Sequence, residues 1–282
     1  MSPRPIGISN LAWPARAEPA ILDHVAALGA KGIEVAPTRI APWEDLTDAH
    51  LVQFRQRCDQ AGLSISSLQA IFYLQPEAAL LGDAQAFKAM AEHLRRIAGI
   101  AHALGARIAV FGAPNSRRRG QLSPLDAMQR AAERLRTLGD LAAAAGLTIG
   151  MEPVPPLYGA DFLNHTSDII EIVRRTNHPN IRAHLDTACI TLAGDDVTEA
   201  ITAAAPLLEH YHMAEPQLGP FATPTCNHAA AGAALDAANY AGWVVIEMRE
   251  VESPDDGLDA ITTAVAYARS HYAGGKAQGL RP

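Results

Sequence analysis

Four residues of the types that bind divalent metals stand at the ends of four consecutive apolar segments: Glu152, Asp186, His212 and Glu247. The segments, each typical of a short buried strand, are 149–152, 184–186, 210–212 and 244–247. Three carboxylates and one imidazole form an oxygen-rich ligand set. Such a set suits Mn2+, which we expect first, and also Mg2+ or Co2+; Zn2+ is a further possibility. Any one of these residues could equally be a helix cap or an ion-pair partner. The ordered set of four, however, predicts one divalent-metal site.

The elements that would position these ligands follow a regular alternation of short apolar runs and longer amphipathic stretches rich in Ala and Leu. The apolar runs predict eight strands, at 6–10, 32–36, 64–69, 107–111, 148–152, 181–185, 208–212 and 243–248. The amphipathic stretches predict eight helices, at about 18–29, 45–61, 83–104, 123–145, 166–176, 196–204, 227–241 and 256–271. Strands that alternate with helices pair in parallel through right-handed crossovers.

The number of strands and the chain length favour one closed barrel. A chain of 282 residues suits a (β/α)8 barrel, which typically has about 250 residues. We therefore predict an α/β fold: a single (β/α)8 TIM barrel over residues 1–272, with its active site at the C-terminal ends of the strands, and a flexible tail at 273–282. An open doubly wound sheet is the main alternative, because one sequence does not show whether a sheet closes.

Composition and charge narrow the class of protein. The hydrophobic content of 49% is ample for a core, and the net charge of −7 argues against binding to nucleic acid or to an anionic membrane. The three cysteines form no paired framework, which fits a reducing cytoplasm. The N-terminus lacks the apolar core of a signal peptide, and no apolar run approaches the roughly 18 residues of a membrane span. We expect a cytoplasmic protein, and a homo-oligomer remains open.

Several other polar and aromatic residues follow predicted strands and could contact a substrate. Trp13, Glu34 and Gln69 follow strands one, two and three. Trp13 could form a wall of the pocket, and plain packing is an equally good interpretation. Glu34 and Gln69 could point into the mouth, where each could contact a substrate hydroxyl group or support a metal ligand, and a structural role is equally good for both. His184 precedes Asp186 by two residues, so the alternation of a strand places it on the same face, where it could orient substrate or the aspartate.

A basic loop at 115–120 follows strand four, on the side of the predicted mouth. Its three arginines and terminal glycine could bind a phosphate or carboxylate group, and Arg117 is the strongest candidate among them. The alternative is a solvated loop whose arginines balance an acidic surface.

Nearly the whole chain resembles the xylose-isomerase-like TIM barrels, the sugar phosphate isomerase/epimerase superfamily. The resemblance rests on residues 8–13, 32–37 and 245–247, and on a Glu after strand five, Leu-Asp-Thr after strand six, His-x-His after strand seven and Glu after strand eight. It implies that Glu152, Asp186, His212 and Glu247 bind the metal. It further implies that Glu152 and Glu247 act as acid and base on opposite faces of the substrate, as in the ketose 3-epimerases.

The chain departs from the ketose 3-epimerases at three substrate-binding positions. Tyr158 stands where that group has a carboxylate, Cys189 where it has a histidine, and Leu218 where it has an arginine. The departures imply that the metal ligands are retained while the substrate contacts differ. We expect Tyr158 and Cys189 to contact a substrate other than a free ketohexose.

The leading prediction is a metal-dependent isomerase or epimerase of a sugar or sugar derivative, acting by proton transfer through a metal-stabilised enediolate. A metal-dependent lyase or dehydratase of a keto-sugar or inosose is the runner-up, and a non-catalytic sugar-binding protein is a remote third. A DNA-repair role like that of endonuclease IV, a member of the superfamily, is disfavoured. Its zinc site needs further histidines, and none follows predicted strands three and four.

Overall fold

The computed structural model describes residues 3–253, 255 and 257–274. Eight parallel strands pair in chain order and close into a barrel. The strands are β1 (Ile6–Ser9), β2 (Gly32–Val35), β3 (Ser64–Leu68), β4 (Ile108–Phe111), β5 (Thr148–Met151), β6 (Ile181–Asp186), β7 (Leu208–Ala214) and β8 (Val244–Glu247). Closure comes from the pairing of β1 with β8, in which Ile6 lies opposite Val244. The predicted TIM barrel is therefore confirmed, and an open sheet is excluded.

The helices cover the outside of the barrel and connect successive strands. They are α1 (Glu18–Ala27), α2 (Asp48–Gln60), α3 (Ala84–Leu104), α4 (Pro124–Ala144), α5 (Thr166–Thr176), α6 (Thr187–Ala193), α7 (Val197–Ala204), α8 (His228–Ala237) and α9 (Leu258–Tyr272). Each predicted helix has a counterpart, and α6 is an additional helix that the sequence did not predict. Residue 256, where the last predicted helix was to begin, and residues 275–282 of the predicted tail lie outside the described residues.

Local sequence sets several helix ends. Ser123 accepts a hydrogen bond from the backbone of Asp126 and caps α4, with Pro124 in the first turn. Gly105 ends α3 with a φ of 81°, a left-handed conformation that glycine adopts without strain. Asp186 is the last residue of β6 and also caps α6, so a candidate metal ligand begins a helix.

The core lies between the barrel wall and the surrounding helices, where apolar side chains from all strands pack against apolar helix faces. The barrel interior, in contrast, contains a polar layer beneath the C-terminal mouth. Glu34, Ser67, His184 and His210 in this layer are fully buried. Burial of a polar group costs free energy unless the group has a hydrogen-bond partner. This buried polar layer therefore indicates a functional site at the mouth above it. No helix in the described part of the chain is long and apolar enough to cross a membrane.

Candidate metal centre

The ends of the last four strands bring the four predicted ligands together. Glu152 directly follows β5, Asp186 and Glu247 end β6 and β8, and His212 lies near the end of β7. Each offers one ligand atom, and these atoms all lie within 4.8 Å of one another. Strand register explains part of this convergence, because Asp186 lies opposite His212 in the β6–β7 pair.

The imidazole of His212 lies at the centre of the group. Its Nδ1 atom is 3.2 Å from Glu247 Oε2 and 3.9 Å from Asp186 Oδ2. Asp186 Oδ1 accepts a hydrogen bond of 2.6 Å from the backbone N–H of Cys189, whereas the buried Oδ2 has no hydrogen-bond partner. One free carboxylate oxygen and one free ring nitrogen thus point at the same space. These residues fit a divalent cation, since such unpaired buried atoms are costly unless a ligand binds them.

The electrostatics of the three carboxylates favour a cation as well. Burial raises the pKa of Glu152 well above its ordinary value, and the charges of Glu247 and Asp186 raise it further. Burial and the charge of Glu247 likewise raise the pKa of Asp186 to about 7. A bound dication would lower both pKa values, because an opposite charge favours the ionised form.

Glu34 supports His212 from below. Its Oε1 atom lies 2.8 Å from His212 Nε2, while its Oε2 atom contacts His210 Nε2 at 3.0 Å and accepts a hydrogen bond of 2.6 Å from Ser67. Burial opposes the charge of Glu34, but His212 and His210 together hold its pKa well below the ordinary value. A carboxylate beside Nε2 keeps a proton on that atom and leaves Nδ1 free for a metal. Glu34 therefore lies below the mouth and positions a candidate ligand.

Glu152 has close neighbours of its own. His184 Nε2 lies 3.4 Å from Glu152 Oε1, and neither ring nitrogen of His184 has a hydrogen-bond partner. Gly112 lies so close that a Cβ atom at this position would collide with the Glu152 carboxylate. These contacts fix where the Glu152 side chain can lie.

Arg117 is buried behind the site, with 1% of its surface exposed. It donates a hydrogen bond of 3.3 Å to the carbonyl of Phe111, and its Nε and Nη2 atoms have no partner. Burial lowers the pKa of Arg117 to about 10, and the charge of Glu152 partly opposes this shift. The exposed arginine that lines the mouth is the next residue, Arg118.

The remaining predicted contacts lie at different depths. Gln69 lines the mouth and donates a hydrogen bond to Ser9. Trp13 is buried in the hydrophobic core. The Tyr158 hydroxyl accepts a hydrogen bond of 2.8 Å from the backbone N–H of Gln217, and Cys189 is buried in the first turn of α6.

A cavity of about 680 Å³ opens above the ligands and is lined by Glu152, His212 and Glu247. Much of its wall comes from the loops that follow β3 and β4. Sequence reasoning missed the first of these loops, although its apolar run at 71–74 in a segment outside the predicted strands and helices was an available signal. The lining residues from the two loops include Ile71, Phe72, Tyr73, Leu74, Gln75, Asn115, Ser116 and Arg118.

A second buried cluster of ligand types contains Glu215, Cys226 and His228. Here the protein itself satisfies the polar atoms. Glu215 accepts hydrogen bonds from the backbone of Thr225 at 2.8 Å and Cys226 at 3.1 Å, and it contacts His228 Nε2 at 2.7 Å. His228 Nδ1 contacts the Tyr272 hydroxyl at 2.6 Å. This cluster is a hydrogen-bond network that joins the end of β7 to α8 and α9.

Comparison with protein families gives a match over residues 22–270 to the xylose isomerase-like TIM barrel model. The chain belongs to this family. An L-ribulose 3-epimerase of Mesorhizobium japonicum is 30% identical over 137 residues, which are 49% of this chain and 46% of that protein. The match thus spans about half the length of the curated relative.

Solved structures share the fold of the whole chain. A D-psicose 3-epimerase crystallised in the presence of D-fructose has a TM-score of 0.78 at 19% identity, covering 96% of this chain and 100% of that one. A probable 3-DHS dehydratase from Bacillus anthracis has a TM-score of 0.69 at 14% identity, covering 93% and 97%. At these identities the likeness shows the fold alone.

Proposed function

We propose that this protein is a divalent-metal-dependent isomerase or epimerase of a sugar or sugar derivative. The proposal rests on one observation: three carboxylates and one imidazole meet at the mouth of the barrel with their ligand atoms within 4.8 Å of one another, and two of these atoms, Asp186 Oδ2 and His212 Nδ1, have no hydrogen-bond partner. Membership of the xylose isomerase-like family supports it. So does the similarity to proteins named as ketose 3-epimerases.

Glu152, Asp186, His212 and Glu247 would hold the cation. When bound there, it would supply Lewis-acid stabilisation of the charge that develops on the carbonyl oxygen of the substrate. Asp186 would bind through Oδ2 alone, because the backbone of Cys189 occupies Oδ1. Glu34 would keep Nδ1 of His212 directed at the ion.

Glu152 and Glu247 are the proposed proton carriers. One carboxylate removes the proton from the carbon beside the carbonyl group, which gives an enediolate, and the other carboxyl group returns a proton. Return to the opposite face of the same carbon is epimerisation. Return to the neighbouring carbon is isomerisation, in which the proton of the adjacent hydroxyl group also moves to the former carbonyl oxygen and a carbonyl group forms where the hydroxyl was. Both carboxylates line the cavity, so both can face one substrate.

The other residues would orient the substrate and the carboxylates. Gln69 lines the cavity beside the ligands and is placed to contact a sugar hydroxyl group. His184 contacts Glu152 and restricts its position. Tyr158 and Cys189 remain proposed substrate contacts that replace the side chains of the free-ketose enzymes.

The test is exchange of the carbon-bound proton with solvent. Purified protein loaded with MnCl2 is incubated in D2O with D-fructose, D-tagatose or L-ribulose, and NMR follows deuterium incorporation and the appearance of epimers. We expect exchange that EDTA abolishes and added Mn2+ restores. Full activity in the metal-stripped protein, or in Glu247→Gln, would refute the mechanism.

A lyase on the same site is the second candidate. The three departures at Tyr158, Cys189 and Leu218 favour a changed substrate, and the same first proton abstraction can expel a hydroxyl group from the next carbon. Mass spectrometry of the product distinguishes the two reactions. An isomer retains the mass of the substrate, whereas a dehydrated product is lighter by one water.

A further inference from the structure

A second cavity adjoins the one above the candidate metal centre. It has a volume of about 540 Å³ and lies on the side of the loops that follow β1, β2 and β3. The two cavities are adjacent and together are called the cleft. They share five lining residues, Leu11, Ala70, Tyr73, Leu74 and Gln75.

The cleft is large for a single sugar ring. The first cavity alone, at about 680 Å³, lies in the range of roughly 300–1,000 Å³ that holds a drug-sized ligand. A free monosaccharide bound at Glu152 and Glu247 would fill only part of it and would leave the second cavity unused. The dimensions therefore favour a longer molecule, whose reacting end lies at the carboxylates.

The second cavity has the mixed chemistry that a sugar ring requires. Ala36, Pro42 and Trp43 give it an apolar wall, while Thr38, Arg39 and Glu44 provide hydroxyl, guanidinium and carboxylate groups. Sugar rings present apolar C–H faces and polar hydroxyl edges, so such a lining can cover both. Pockets of this type are mainly apolar with a few placed polar groups.

The wall between the cavities is an exposed apolar ridge formed by Tyr73 and Leu74. These side chains are 57% and 67% exposed. Leu74 has a φ of 56°, in the left-handed region that non-glycine residues rarely adopt. The ridge is nevertheless held in place, because Trp43 Nε1 donates a hydrogen bond of 2.6 Å to the carbonyl of Tyr73. Such strain is retained mainly at functional sites, and a bound molecule that spans both cavities would cover these side chains.

We infer that the substrate is a keto-sugar that carries a second glycosyl unit; this inference rests on the proposed function. The keto-sugar ring lies at Glu152 and Glu247 in the first cavity. The glycosyl unit crosses the ridge of Tyr73 and Leu74 and lies in the second cavity between Trp43 and Thr38. The site thus selects for the second ring, in contrast to an enzyme for free ketoses.

The test compares D-fructose with lactulose and isomaltulose, which are fructose units carrying a hexosyl group on different oxygens. Deuterium exchange by the Mn2+-loaded protein gives kcat/KM for each sugar. We expect at least one of the two-ring sugars to exceed fructose by about tenfold or more, equivalent to about 1.4 kcal/mol of binding to the second ring.

Two variants locate the preference in the second cavity. Thr38→Trp fills that cavity, and Tyr73→Ser removes the aromatic side chain of the ridge. In each variant, the ratio of kcat/KM for the two-ring sugar to kcat/KM for fructose should fall about tenfold. Leu125→Ala is the matched control, because Leu125 is an apolar side chain on α4 that is 64% exposed and lies outside the cleft. In Leu125→Ala, the ratio of the two kcat/KM values should equal that of the unchanged protein.

The outcomes separate the two proposals. Exchange on none of the three sugars would overturn the proposed function and this inference together. Exchange on fructose that equals or exceeds the exchange on both two-ring sugars would overturn only the inference. An unchanged ratio in both folded variants would also overturn only the inference.

Discussion

Replacement of Glu34 by glutamine removes the charge beneath the proposed metal ligand His212 while keeping nearly the same shape. Both partners are buried, and Glu34 Oε1 lies 2.8 Å from His212 Nε2. Loss of a group that supports a metal ligand typically weakens metal binding by about 10–100-fold, equivalent to about 1.4–2.7 kcal/mol. We expect Glu34→Gln to fall in the upper part of this range, because both side chains are buried.

Isothermal titration of the metal-free protein with MnCl2 measures this effect directly. The matched control is Glu215→Gln, since Glu215 is also a buried carboxylate and contacts a histidine, His228, at 2.7 Å. Each substitution should lower the free energy of unfolding by about 1–3 kcal/mol through weakened hydrogen bonds. Only Glu34→Gln should weaken Mn2+ binding. An unchanged Mn2+ affinity in Glu34→Gln, or an equal loss in Glu215→Gln, would refute the role assigned to Glu34.

The remaining predictions concern the carboxylates of the site. Glu247→Gln should lower kcat for deuterium exchange by about 10²–10⁴-fold, the usual contribution of general acid–base catalysis, and activity as high as in the unchanged protein would contradict this. Gly112→Ala should displace Glu152 and weaken Mn2+ binding in titration, whereas Gly99→Ala, at a glycine with open space, should not. The raised pKa of Asp186, about 7 against an ordinary 3.8, stabilises the metal-free protein below about pH 4, and this stability is lost as the pH rises through 7. The contribution of Asp186 to the free energy of unfolding, on the order of 4 kcal/mol, should therefore be lost over this window. Thermal melts of the metal-free protein and of Asp186→Asn measure this contribution as a difference between their pH profiles, and parallel profiles would contradict the shift. The stabilisation by MnCl2 should grow as the pH rises.

The strand pattern made the barrel and the convergence of the four candidate ligands predictable. A ligand that ends an apolar run must lie at the mouth if the strands are parallel, and Glu152, Asp186, His212 and Glu247 obey this rule. The short helix α6 escaped prediction because it has only seven residues and begins at Asp186, which already ended a predicted strand. Asp186 belongs to both β6 and the cap of α6, whereas a hydrophobic pattern assigns a residue to only one element.

Depth within the site could not be predicted from sequence. Glu34 follows the same pattern as the candidate ligands, yet it lies beneath His212, because β2 is three strands away from β7 around the closed barrel and the Glu34 side chain reaches His212 through the interior. Arg117 and Arg118 are neighbours in a basic loop, but only Arg118 lines the cavity. The direction of each side chain depends on a loop conformation that tertiary contacts set.

The closed order of the strands has a consequence for how the protein is made. The candidate ligands come from the ends of β5 to β8, and Glu34, which contacts His212, comes from β2. The barrel closes only when β8 pairs with β1. A nascent chain that has left the ribosome as far as β7 still lacks Glu247 and has an open sheet edge. The complete set of four candidate ligands is therefore present only after nearly the whole barrel has been translated, so the proposed metal site would be completed late in synthesis.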